Sequence, residues 1–371
     1  MELSPEDSLR LHVMINSVHA VRIDSETMEV HGLAADGDDV REARVRLSPN
    51  CRQEQYLKLV REFLSGIVLG SPGGYPLHLA RWTRMGQRRD AGLDKLLLLG
   101  EPEAVTAVSG APGLTDELAR RVWWVAPTSE HARRMLEREP VRCGFMGPVL
   151  ATHLVDYLPF ETDARIIMET VRLIVRPGLI TDHSRSLLWE RGAKQAAYRV
   201  GFLQANPDDL PASAPARADL ADHAQLLAPL AASDNPVARL VLRALSPPGQ
   251  AFVSAAISIL LKPADQDVVA AALDVVGSYF RVPGSPQPLV RDIAVIAQAA
   301  RAYDAHAAAV IRAVPALQGD IPALLILGQI TEAVVGDILA HTTASGTLLR
   351  RKLAPVLEVI LQQLVMLRKA D

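Results

Sequence analysis

Apolar residues along most of this chain recur at helical spacing, and only the stretch before Asn50 departs from it. There Leu9, Leu11, Val13 and Ile15 alternate with Arg10, His12 and Met14, a period of two that predicts a half-buried strand. Val21 and Ile23 precede the polar tetrapeptide Asp24-Ser25-Glu26-Thr27, and Met28 and Val30 resume the alternation, which predicts a hairpin. Ala43, Val45 and Leu47 predict a further strand after a loop at Ala34–Asp39. A small antiparallel meander results, too small to stand without a helix packed on it.

That helix follows at once. Tyr56, Val60, Phe63 and Ile67 fall on one face, with Leu57 and Leu64 widening the stripe, and the Gly/Pro run from Gly70 to Pro76 ends it. From Leu93 onward the pattern is helical. Pro102 suits a first helical turn. Leu114, Leu118, Val122 and Val125 form one face, Thr128 or Ser129 caps the next helix, and Ile167, Val171 and Ile174 mark another. A longer helical stretch runs from Thr181 to Gln204. Breaks are expected at Asn235-Pro236, at Ser246-Pro247-Pro248-Gly249, at Pro263, at Pro283–Pro288 and at Pro322. The last helix carries Leu349, Leu353, Val356, Ile360, Leu364 and Leu367 on one side, with Pro355 as a kink or restart.

These elements predict a mainly α chain: a small N-terminal antiparallel β meander packed on a helix, then an irregular stack or bundle of helical hairpins. No fixed repeat period supports a regular solenoid. The expected divisions are a small α+β region at 1–90, a helical domain at 91–206, a Pro/Ala/Asp-rich linker at 207–218 and an Ala/Leu-rich helical domain at 219–371.

Composition agrees with helix over sheet, since aromatics are only 4% while alanine and leucine abound. The net charge of −3 supplies no global attraction to nucleic acid or acidic membranes, so anion binding needs a local patch. The opening MELSPEDSLR is polar and acidic, unlike a secretory signal. Runs such as Ala251–Leu261 fall short of the ~20 apolar residues that span a bilayer. Two distant cysteines make no disulfide framework, and a reducing cytoplasm is the expected compartment.

The local patch is Arg81-Trp-Thr-Arg-Met-Gly-Gln-Arg-Arg89. Arg81, Arg84, Arg88 and Arg89 stand with Trp82 and no acid, a set suited to a phosphate, a sulfur oxyanion, an acidic peptide or a nucleic-acid backbone. A hinge whose arginines pair with Glu54, Glu62 or Asp90 is the structural alternative. Gly73 and Gly74, in the preceding Gly70–Pro76 loop, can offer backbone N–H groups to an anion or form a plain turn. Cys51 stands before a predicted helix N-terminus, where a thiolate is favoured, although a buried structural thiol is the favoured account. His153 and Asp156 share a helix face but lack further metal ligands, and Trp123-Trp124 project about 100° apart, so at most one faces the core centre. No cofactor motif, P-loop, GxSxG or kinase signature is present.

The words SVHAVRIDSETMEVHGL (Ser17–Leu33), NCRQEQYLKLVREFLSG (Asn50–Gly66), GSPGGYP (Gly70–Pro76), RWTRMGQ (Arg81–Gln87) and LLLLGEPEAV (Leu96–Val105) resemble the DsrS-like proteins of sulfur-oxidising bacteria. LTDELARR (Leu114–Arg121) extends the similarity. That family is encoded with the reverse-acting dissimilatory sulfite reductase system. The resemblance implies a soluble cytoplasmic protein linked to sulfur oxidation, without catalytic residues to carry over.

The expectation is therefore a non-catalytic accessory or scaffold protein, docking a protein partner of sulfur oxidation through Arg81, Trp82, Arg84, Arg88, Arg89, Gly73 and Gly74, with no metal and no cofactor. The alternatives are a thiol-dependent sulfur carrier or enzyme using Cys51, and a nucleic-acid-binding regulator resting on the same tract.

Overall fold

The computed structural model describes residues 2–36, 39–70, 92–285, 290–300, 304–341 and 344–368. The chain is mainly helical with one three-stranded antiparallel sheet near its N-terminus. It divides into two compact units, Met1–Pro159 and Phe160–Asp371.

The first predicted strand is a helix, α1 (Pro5–Ile15). Ser4 caps it, its side chain accepting from Asp7 N, with Pro5 in the first turn. Asp7, Leu11, Met14 and Ile15 are buried, whereas Leu9 and Val13 are 66% and 63% exposed. The true period is therefore that of a helix, and the alternation of Leu9, Leu11 and Val13 misled because only Leu11 faces inward.

The hairpin and meander form, but the loop expected at Ala34–Asp39 is shorter, because the two strands pair as far as Asp36 and Asp39. Strands β1 (Ala20–Asp24), β2 (Glu29–Asp36) and β3 (Asp39–Arg46) pair in that order, with Val21 opposite Gly32 and Val30 opposite Val45. Asp24 Oδ1 accepts from Glu26 N and Thr27 N, which closes the first turn. Helix α2 (Gln53–Leu69) buries Tyr56, Leu57, Val60 and Leu64 against this sheet and α1. It ends at Gly70, whose φ of 61° is the left-handed conformation that terminates helices.

A buried polar knot ties the three parts together. Tyr56 Oη donates to Asp7 Oδ2 at 2.5 Å, and Ser48 N donates to the same oxygen at 2.9 Å. Burial, then the Asp7 bond, raise the Tyr56 pKa above the ordinary phenol value.

The sheet does not form a domain apart from the helices that follow. Val21 N donates to Leu97 O, and the Arg22 guanidinium lies 5.0 Å from the Trp124 ring centre. In the helix Asp116–Val125, Glu117 accepts from both Arg120 and Arg121. Arg120 first, against a burial penalty, and Arg121 next hold its carboxyl at about 2.

In the second unit, Ala164–Ile174 and Ala196–Ala205 are closely packed. A Cβ on Gly201 would lie 2.7 Å from Val171 Cβ and 2.8 Å from Met168 O, so only glycine permits that approach. The stretch Thr181–Gln204 is two helices, Asp182–Arg191 and Ala196–Ala205. Asn235 and Ser246 cap the helices Pro236–Leu245 and Pro247–Leu260 at the anticipated breaks. The last helix runs unbroken through Pro355 as Gly346–Arg368, and beyond the proline its buried stripe uses Leu357 rather than Val356.

The Asn206–Ala218 stretch, expected as a linker, is pinned inside the second unit. Asp208 accepts from Arg243, whose guanidinium lies over the Tyr279 ring at 3.9 Å, and Asp209 pairs with Arg185 at 2.9 Å. Arg217 N donates to Leu245 O. The Arg217 side chain, 2% exposed, donates to Asp320 and Asp219 at 2.7 to 3.0 Å. Burial alone would raise the Asp219 pKa, but the Arg217 bonds outweigh it and the net direction is down.

Removing one partner of such a buried pair leaves an uncompensated charge. Arg217→Met is expected to destabilise the second unit by about 3–5 kcal/mol, read by denaturant unfolding followed by far-UV circular dichroism. The Glu117 contribution has the sign of a depressed carboxyl: complete above pH 4.5 and lost as pH falls toward 2. Because this pair is half-exposed, Glu117→Gln is expected to remove under ~1 kcal/mol of acid-dependent stability. A carboxyl NMR titration with a Glu117 midpoint near 4.5 would contradict the ion-pair account.

Candidate functional site

Helix α2 carries the candidate region at both its ends. Ahead of it stands Cys51, half-buried and packed at the edge of the cluster formed by Leu11, Val45, Tyr56 and Val60. Its Sγ lies 3.7 Å from Arg52 O, which serves as its acceptor. Arg52 is the N-cap residue and provides no side-chain cap, so side chains leave the first-turn N–H groups unclaimed at the cap position. The thiol therefore stands, half-buried, just ahead of a helix N-terminus. The other cysteine, Cys143, is exposed at the end of Glu139–Arg142.

At the far end of α2 the chain turns at Gly70 and enters residues 71–91. Arg81, Trp82, Arg84, Arg88, Arg89, Gly73 and Gly74 all lie outside the described residues. Their flanks are described. Leu64 is fully buried before the segment, and after it Leu93 and Leu96 are buried in the helix Leu93–Leu96, which starts at Gly92 with a φ of 83°. The described residues on either side of segment 71–91 thus pack in the first unit. Of the acids considered as partners for its arginines, Glu62 lies 4.0 Å from Lys58.

A second constellation, absent from the sequence reading as a group, sits on the helices Ser129–Leu136 and Met146–Tyr157. Thr128 Oγ1 accepts from His131 N and caps the first of these helices, which leaves Ser129 Oγ for another partner. That partner is His153 Nε2, at 3.2 Å. The imidazole is stacked on Tyr157, with centroids 4.3 Å apart, and meets Trp123 edge to face at 4.8 Å. Burial lowers the His153 pKa, while the Asp156 carboxylate pulls it the other way; the net direction is down. The residue is therefore predominantly neutral at pH 7.

His153 thus meets Ser129, and Asp156 acts on it only through its charge. Among the described residues no group of three or more His, Cys, Asp or Glu side chains is placed to hold a metal ion. Trp123 and Trp124 diverge as helix geometry requires: Trp123 packs on His153, and Trp124 lies under Arg22. The signal for Ser129 was its position beside a capping threonine, which frees its hydroxyl; its histidine lies on another helix and leaves no local spacing to read.

Exposure orders the two thiols. Under native conditions iodoacetamide is expected to modify Cys143 several-fold faster than Cys51, as read by peptide mass spectrometry. Faster reaction at Cys51, rising toward low pH relative to a free thiol, would show that the α2 terminus activates it.

No family model, curated protein or solved structure matches the chain.

Proposed function

We propose that this chain is a cytoplasmic accessory or scaffold protein of sulfur oxidation, docking an enzyme of the reverse-acting dissimilatory sulfite reductase system through the tract Arg81–Arg89. The observation that carries this reading is the framing of the tract. Its four arginines and one tryptophan fall, in sequence, between the end of α2 at Gly70 and the buried Leu93 and Leu96, two described flanks of the same folded unit. The local charge supports it. Some described arginines of the first unit pair with carboxylates, as Arg10 does with Glu6, Arg22 with Glu42 and Arg134 with Glu130, and the tract contains no acid of its own. No helix among the described residues is long and apolar enough to cross a membrane.

A thiol-dependent sulfur carrier is the second reading, favoured by the position of Cys51 just ahead of a helix whose cap residue offers no side-chain acceptor. A nucleic-acid partner has less support, because a net charge of −3 leaves only the tract to attract phosphate.

Affinity purification of the tagged full chain from sulfur-oxidising cells is expected to retain sulfite reductase subunits or their sulfur-transfer partners. Alanine at positions 81, 84, 88 and 89 together should weaken that retention at least about tenfold, with an unchanged circular dichroism spectrum. Recovery of the chain alone, or undiminished partner binding by the alanine set, would overturn the reading.

A further inference from the structure

Beyond the docking reading, and independent of the Arg81–Arg89 tract, we propose that Ser129 and His153 form a nucleophile–base pair that accepts an acyl group from an activated ester or thioester. Four observations converge on these two side chains. The Ser129 hydroxyl is not consumed as a helix cap, because Thr128 does that work. It instead lies 3.2 Å from His153 Nε2, the distance at which an imidazole removes a hydroxyl proton. The ring is fixed in orientation by the stack on Tyr157 and the edge contact with Trp123. Burial between them favours its neutral, proton-accepting form, and Asp156 one turn along supplies the negative field that steadies the imidazolium once formed.

The position of Ser129 supplies the remaining electrostatics. It is the first residue of the helix Ser129–Leu136, and the opening N–H groups of a helix have no intrahelical acceptor. Negative charge that develops on a carbonyl oxygen beside this hydroxyl meets the positive end of the helix. Trp123 and Tyr157 provide apolar walls, and Ser129 and His153 are themselves half-buried, so each keeps some surface in solvent. That geometry fits a short apolar acyl group carried on a larger or mobile donor.

The reaction balances without a further reagent. Ser129 Oγ bonds to the carbonyl carbon as its proton passes to His153 Nε2. The bond from that carbon to the leaving oxygen or sulfur breaks, and the departing group takes the proton from Nε2. The product is an acyl-serine ester. Water, giving its proton to the same Nε2, then attacks the ester carbonyl, releasing the carboxylic acid and restoring the serine hydroxyl.

The test treats the full folded chain with p-nitrophenyl acetate and, separately, with a fluorophosphonate probe, and maps the adducts by mass spectrometry. The expected result is an adduct on Ser129 that disappears in Ser129→Ala and forms at least about a hundredfold more slowly in His153→Gln. The rate should rise with pH and level off around a midpoint below the ordinary histidine value, a signature that a merely structural hydrogen bond would not produce. Both variants are checked for an unchanged circular dichroism spectrum, and the pH profile of the unsubstituted chain stands even where a variant misfolds. Absence of any adduct at Ser129, labelling no faster than in the urea-unfolded chain, or wild-type labelling in folded His153→Gln would overturn the proposal.

Discussion

Every helix end leaves backbone groups without partners, and a chain built from many short helices meets that constraint repeatedly. This fold depends on meeting it. Ser4, Thr115, Thr128, Asp163, Thr181, Asn235, Ser246, Asp265, Asp292 and Asp304 each turn a side-chain oxygen onto the N–H groups of the helix that follows. Ser246 does so at the junction between consecutive helices, ending one and starting the next. Helices of this length are marginal in isolation, so caps and tertiary burial together hold them. The cap also decides which neighbour is free: Thr128 serves the backbone, and the adjacent Ser129 is released to the imidazole.

The same constraint explains what was legible. Caps and prolines are local signals, which is why the breaks at Asn235 and Ser246 and the Gly70 stop were readable, and the meander was readable from its alternation. The error at α1 is instructive because its start signal, Ser4 followed by Pro5, Glu6 and Asp7, was in plain sight. The alternating hydrophobicity competes with that signal, yet Leu9 and Val13 are simply apolar residues on a solvent face. A cap with a first-turn proline is the more reliable witness when a short apolar run fits two periods.

What was illegible is long-range. The Asn206–Ala218 stretch has the composition of a linker, but Arg217 reaches Asp320 across 103 positions, a pairing that composition cannot reveal. Buried ion pairs pay a desolvation penalty, and their geometry is specific because every donor must be matched. The Tyr56–Asp7 bond works similarly, joining residues 49 positions apart within the first core. Of the candidate site, the Arg81–Arg89 tract was visible as charge without counter-charge, and its shape lies outside the described residues. Cys51 was correctly placed ahead of a helix, but its packing against the core belongs to tertiary structure.

The docking reading and the serine–histidine pair draw on opposite uses of electrostatics. The tract places several like charges close together in sequence, and an anionic surface would offset their mutual repulsion. The Ser129–His153 pair does the reverse: burial between Trp123 and Tyr157 suppresses charge on the ring until a proton arrives. A surface that is already charged recognises a partner before contact, because its field reaches about a Debye length into solvent. A group kept neutral until reaction contributes nothing to that approach and acts only at bonding distance. On the two proposals together, recognition and chemistry would be separated, with salt weakening the first far more than the second.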